Sequence, residues 1–335
     1  MLTISLDHLR LAVYDFTLHI AEPLTLPAYK GAALRGGFGI TFKRSVCVYS
    51  NLPPCESCLL RQNCAYPAIF EPSPPPNAEV LRNHTDVPLP FIIEPPPDQR
   101  THYAAGDSLR FRVVLIGQAI NALPYFIVVF QRLGEIGLGA ERARYTLDEV
   151  AFYDARNSNR TVLLQQGRLM HNAREHSLSV SDLTAPHVQQ APVSLTLTFQ
   201  TPTRLKYADD FLHTAPPFHV IIRTLLRRLS SLSYFHGGQR WDTDYRGWIE
   251  RAEQVSIAHA DVQWVDWERY STRQERRMNL GGIIGQVTYA GDVTPFVPLL
   301  RLAESIHLGK GAVFGNGQVR LQIAASAQAG KTSNN

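Results

Sequence analysis

Apolar positions recur along this chain at two spacings, every second residue or every third and fourth, and the changes between them mark its elements. Leu9-Arg10-Leu11-Ala12-Val13 reads as a first strand, and Pro27 to Arg44 as a short helix or helix-like segment. Phe91-Ile92-Ile93 is a short strand between proline-rich passages, and Leu109 to Leu115 alternates as another. Pro124 opens a helix that runs through Phe130 and Leu133 and closes at Gly134, after which Gly137-Leu138-Gly139 leads into a strand from Tyr145 to Val150. Residues 156–190 are polar and aperiodic. Beyond them Leu195-Thr196-Leu197-Thr198-Phe199 alternates cleanly, and Phe218, Ile221, Ile222, Leu225, Leu226, Leu229 and Leu232 share one helical face that stops at Gly237-Gly238. Arg223, Arg227 and Arg228 lie off that stripe and read as its solvated side. Strands at Val262–Trp267, Gly282–Tyr289 and Val319–Ile323, with a helix from Thr294-Pro295 to Gly309, complete the set.

In the second half the order is strand, helix, strand, strand, helix, strand, and the first half repeats it. Gly137-Leu138-Gly139 and His307-Leu308-Gly309 fall at the same point of the two series. The pattern predicts an α+β protein of two tandem ferredoxin-like (RRM-like) domains. Residues 1–155 form the first, 156–190 a linker, 191–325 the second and 326–335 a flexible tail. A glycine-rich loop sits near the carboxy terminus, and a cysteine-rich insertion interrupts the first domain.

Composition adds a partner to this picture. At 335 residues and 44% hydrophobic content the chain can bury two cores, and the net charge of +4 is small. Yet 28 of the 33 basic residues are arginine, the side chain suited to gripping phosphate and stacking on bases, which points toward RNA. No apolar run approaches the roughly 20 residues of a membrane helix, so no membrane partner is expected. The amino-terminal residues lack the pattern of a secretory signal, and the protein reads as cytoplasmic.

The chain's four cysteines, Cys47, Cys55, Cys58 and Cys64, fall within one short stretch, with Cys55-Glu56-Ser57-Cys58 at the spacing that lets two thiolates share an ion. A structural zinc fits four such ligands and would staple a loop of little apolar content. An iron–sulfur cluster and unliganded thiols are the alternatives.

Gly309, Gly311, Gly315 and Gly317, with Lys310 among them, describe a loop whose amides could cradle a phosphate chain. His307, in the last turn of the preceding helix, is the leading single histidine for protonating a leaving oxygen, against a plain capping role; His236 before Gly237-Gly238 ranks below it. Arg269, Tyr270 and Arg273 follow Trp264 and Trp267 in the interleaved basic and aromatic pattern that clamps phosphates and stacks bases, although both tryptophans also suit a core.

Several segments resemble a known family. Arg269-Tyr270-Ser271-Thr272-Arg273-Gln274, Leu280-Gly281-Gly282-Ile283-Ile284-Gly285 and Gly309-Lys310-Gly311-Ala312-Val313-Phe314-Gly315-Asn316-Gly317 are similar to segments of the CRISPR precursor-RNA-processing endoribonucleases of the RAMP superfamily. So are Lys30-Gly31, Leu34-Arg35-Gly36, Cys64-Ala65-Tyr66 and Ile69-Phe70-Glu71 in the first half. The resemblance implies an enzyme that binds CRISPR repeat RNA and cuts it once, with no cofactor for catalysis. The RNA 2′-hydroxyl would attack, leaving a 2′,3′-cyclic phosphate and a 5′-hydroxyl. A subunit that only holds guide RNA, beside other subunits of a CRISPR effector complex, is the alternative. Many members carry a histidine in or just after the first helix, whereas this chain has none between Lys30 and Cys64. Tyr29, Lys30, Arg35 and Lys43 occupy that region and are the candidates to orient groups and stabilise charge in its place.

Overall fold

The computed structural model describes residues 4–49, 51–52, 54–74, 87–170, 176–184, 192–266, 268–271 and 276–325. Two antiparallel sheets organise it. In the first, the order is Phe91–Glu94, Ser108–Ile116, Arg10–Ile20, Tyr145–Asp154, Asn159–Gln165, Arg168–Leu169. In the second it is Ser256–Val265, Gly282–Ala290, Pro192–Thr203, Val319–Ala325. Leaving out the outer strands of the first sheet, both place their first strand between their third and fourth, with the second strand at the edge. In each half one helix follows the first strand and another follows the third: Gly31–Val46 and Leu123–Ile136, then Phe218–His236 and Val297–Ile306. Among the described residues no helix is long and apolar enough to cross a membrane.

The strand Arg10–Ile20 is buried on both faces, which is why its sequence alternates poorly. Ala12, Tyr14, Phe16 and Leu18 point into the core under the first-half helices. Leu11 and Val13, on the opposite face, join Val114, Ile116 and the second half's Phe218, Leu225 and Leu229 in one cluster. The two halves therefore share apolar packing across the first sheet. The helix Gly31–Val46 enters the first core through Leu34, Phe38 and Phe42, at every fourth residue, and the Phe38 ring lies 4.5 Å from that of Phe126 and 5.0 Å from that of Phe130.

Three expectations change here. The second helix of the first half does not close at Gly134 but runs to Ile136 and ends at Gly137, with φ +97°. Gly134 lies inside it, where a Cβ would stand 2.3 Å from the carbonyl oxygen of Tyr145, so its role is close approach to a strand. Residues 156–190 are not a bare linker: Asn159–Gln165 and Arg168–Leu169 extend the first sheet, Leu178–Ser179 pairs with its central strand, and Val180 is buried in the shared cluster. Arg228 is not on a solvated face; its Nε donates to the carbonyl of Ile306 at 2.7 Å, and burial lowers its pKa to about 10, while Arg223 and Arg227 are exposed. The proposed tail, residues 326–335, lies outside the described residues.

Candidate nucleic-acid interface

The glycine loop of the second half packs onto the first helix of the first half. A Cβ on Gly31 would fall 1.9 Å from the carbonyl oxygen of Phe314, so only glycine lets the helix start there. Tyr29 Oη donates to the same oxygen at 3.0 Å, and Thr201 Oγ1 donates to the carbonyl of Gly315 at 2.8 Å. Gly309, Gly315 and Gly317 all have positive φ, and their open sides are filled by the protein itself: the Arg204 carbonyl oxygen at 2.3 Å, Pro95 Cδ at 2.4 Å and the Leu308 carbonyl oxygen at 1.8 Å. Gly311, also at positive φ, faces Asn316. The sequence reading gave these glycines to a phosphate. The structure gives Gly309, Gly315 and Gly317 a protein neighbour that a side chain would strike, and sets Gly311 tightly against the Asn316 side chain.

Tyr29, Lys30, Arg35 and His307 do converge at this seam, and all four are engaged with protein neighbours there. His307 is fully buried: one ring nitrogen, Nδ1, donates to the Asn316 carbonyl oxygen at 3.0 Å, and Nε2 pairs with Glu94 Oε1 at 2.9 Å. Glu94 ends a strand of the first half, so this pair ties one half to the other. As the general acid proposed from sequence, His307 is corrected to a structural residue, because a group with no accessible surface does not touch a substrate phosphate. Lys30 is likewise buried, its Nζ donating to the Asp98 carbonyl at 2.9 Å and to Asp98 Oδ1 at 3.1 Å. Burial holds the Tyr29 phenol well above its ordinary range, so it donates rather than ionises. Arg35 sits with its guanidinium 4.8 Å from the Phe70 ring centre and 5.2 Å from that of Phe314, bridging the halves by stacking. His236 is also buried at the seam, with Nε2 donating to the Pro88 carbonyl at 2.6 Å, and burial lowers its pKa.

Lys43 is separate from this group. It is half-buried, 5.7 Å above the Tyr66 ring centre, and lines a cavity of about 20 Å³ together with Cys47, Cys55, Cys58, Cys64 and Arg61. Among the described residues no three His, Cys, Asp or Glu side chains are placed closely enough to hold a metal ion.

The exposed end of the glycine loop is Lys310, and it adjoins a feature the sequence reading missed. Just past the first strand of the second half, Lys206–Tyr207 and Asp210–Phe211 form a short hairpin. Arg204 stacks 4.0 Å from the Phe211 ring centre, Lys310 Nζ lies 6.0 Å from it, and Arg223 lies 5.6 Å from that of Tyr207. Beyond the hairpin, the exposed His213 stacks parallel on Trp264 at 3.9 Å. The run Arg204-Leu205-Lys206-Tyr207 was the available signal, overlooked because it is too short to show periodicity. Arg269 and Tyr270 lie on the strand Glu268–Ser271, opposite Met278 and Arg277 of a two-stranded hairpin. Arg273 and Trp267 lie outside the described residues.

Residues 9–176, half of the chain, match the family described as AF_1859_N, N-terminal domain, and residues 197–319 match CRISPR-associated endoribonuclease Cas6. The chain belongs to the AF_1859_N family. No curated protein matches it by sequence. Among solved structures, Cas6 in a product complex is similar with TM-score 0.56 and 16% identity, covering 93% of this chain and 100% of that one. A Thermus thermophilus Cas6 aligns with TM-score 0.51 and 16% identity, over 94% and 99% of the two chains. A partial Cas6-RT-Cas1–Cas2 complex aligns with TM-score 0.56 and 15% identity over 95% of this chain, which spans only 47% of the matched chain. At these identities the Cas6 likeness is one of fold.

Proposed function

We propose that this protein is an endoribonuclease that cuts CRISPR precursor RNA within the repeat. The observation that carries the reading is the pairing of the two halves: the same strand order occurs in both, and the second bears the Cas6 match. That order supports two tandem ferredoxin-like domains. RNA brings its own nucleophile, so attack by the 2′-hydroxyl needs no metal, and the products would be a 2′,3′-cyclic phosphate and a 5′-hydroxyl. With His307 and Lys30 buried, the work of stabilising the crowded phosphate falls to cations, with Arg35 at the seam and Lys310 on the loop as candidates.

The RNA would meet the protein where Lys310, Arg204 and Arg223 stand over Phe211 and Tyr207, a surface that offers charge to phosphates and rings to bases. As read from the sequence, Arg269, Tyr270 and Arg273 are further candidates to contact RNA. Other CRISPR subunits are possible neighbours in an assembly, as in the Cas6-RT-Cas1–Cas2 complex.

Incubating the protein with labelled repeat RNA in EDTA tests the reading. Expected is a single cut that disappears when the nucleotide 5′ of the scissile phosphate carries a 2′-deoxyribose; cleavage of the deoxy substrate would sink the mechanism. The burial of His307 beside the loop favours one second reading, a subunit that holds guide RNA without cutting it. Tight repeat binding with no product would select that reading.

A further inference from the structure

We propose that Cys47, Cys55, Cys58 and Cys64 bind one zinc ion as four thiolates, and that this ion holds the segment between the first helix of the first half and the short helix Ala65–Phe70. All four of the chain's cysteines line one small cavity, although they come from three places: the carboxy-terminal cap of the first helix, a 3₁₀ turn, and the residue preceding the next helix. A cavity of about 20 Å³ has room for one ion or water and nothing larger.

Three further observations point the same way. First, the segment has no core of its own. Its two 3₁₀ turns, Cys55–Ser57 and Arg61–Asn63, bury no residue, and Val48, Leu59 and Leu60 are exposed. A fixed position for such a segment calls for a cross-link rather than apolar burial. Second, the cavity is flanked by positive charge. Lys43 and Arg61 both line it, and a zinc with four thiolates carries two net negative charges that these cations would offset.

Third, Arg61 Nη2 donates to the Glu71 carbonyl at 3.0 Å, but its Nη1 is buried without a hydrogen-bond partner. A buried guanidinium nitrogen lacking an acceptor at the rim of a four-thiol cavity marks the place of an anionic group, and a metal-bound thiolate is one. The thiols are not drawn together at coordinating distance, and the ion itself supplies that contraction, with Zn–S bonds of about 2.3 Å.

This site stands apart from the RNA chemistry, and its test does not read activity. The full chain, purified without chelator, is analysed for zinc, iron and acid-labile sulfide. Expected is one zinc per chain, lost from the Cys55→Ser, Cys58→Ser double variant. In case that variant fails to fold, the wild-type protein is also stripped by a thiol reagent and refilled with cobalt. Four thiolates should then give the strong visible bands of tetrahedral cobalt, and protease should cut between residues 47 and 64 only in the stripped form. A metal-free protein whose four thiols all react under native conditions overturns the proposal. So do zinc retained by the double variant, iron with labile sulfide, and disulfide-bonded cysteines. A zinc-free protein that still cuts repeat RNA removes this site and leaves the proposed function standing.

Discussion

The turns that close the second helix of each half make the same bend with different residues. In the first half the helix ends at Gly137, with φ +97° and ψ +147°; in the second it ends at His307, with φ +61° and ψ +161°. Two residues later, Gly139 approaches the Thr25 carbonyl oxygen and Gly309 the Arg204 carbonyl oxygen, each just past the first strand of its own half. The backbone demand at the helix end belongs to the fold, since it recurs whether glycine or histidine occupies the position. A histidine in a region that glycine occupies freely costs about 1–3 kcal/mol. The second half holds it there through the bonds to Asn316 and to Glu94 of the first half. A local strain is thereby converted into a tie between halves.

The largest expected effect comes from breaking that tie. Glu94→Ala leaves a buried imidazole without its partner and should cost about 3–5 kcal/mol in urea unfolding. A loss no bigger than that of an exposed substitution would mean the pair does not hold the seam. His307→Ala keeps the unfavourable backbone and loses both bonds, whereas His307→Gly should recover about 1 kcal/mol of that loss.

Next come the matched glycines. Gly137→Ala and Gly309→Ala place a Cβ 2.0 Å and 2.3 Å from a carbonyl oxygen, both at positive φ, and each should lose at least about 1–3 kcal/mol. Clearly unequal losses would show that the turns are not equivalents. A smaller effect distinguishes the seam by pH. Burial depresses the folded-state pKa of His236 below 6.5, so its contribution is complete above that value. It should be lost as pH falls from there toward the folded-state pKa, because the unfolded chain takes the proton first. His236→Gln should flatten that part of a stability-against-pH curve. Least affected should be Lys310→Ala, which changes stability by no more than about 0.5 kcal/mol. It should nonetheless weaken RNA binding and reduce its salt slope by roughly 0.7, as expected for one lost contact to single-stranded phosphate.

The sequence made the order of elements legible because apolar spacing reports burial directly, as at Leu195 to Phe199 and along the face from Phe218 to Leu232. It misjudged Gly134 and Arg228 for one reason: both are explained by a tertiary neighbour, Tyr145 or Ile306, that no local pattern reveals. The site was half readable. His307 was read beside the glycine loop, and Tyr29, Lys30, Arg35 and Lys43 as a separate group around the first helix. That the loop packs on that helix, and that His307 and Lys30 are buried, could not be read from residue types, which do not disclose whether they face solvent or one another. The pairing of His307 with Glu94 spans most of the chain length and leaves no trace at either position. Residues 204–211 were missed because their basic and aromatic side chains alternate over too few positions.

Arg35, held between Phe70 of one half and Phe314 of the other, also bears on how fast the protein meets its ligand. A loop stacked and hydrogen-bonded to both halves needs no hinge to close before the surface around Lys310 is presented. Encounter with RNA should then be limited by diffusion and by attraction between charges, and added salt should slow association more than it speeds release.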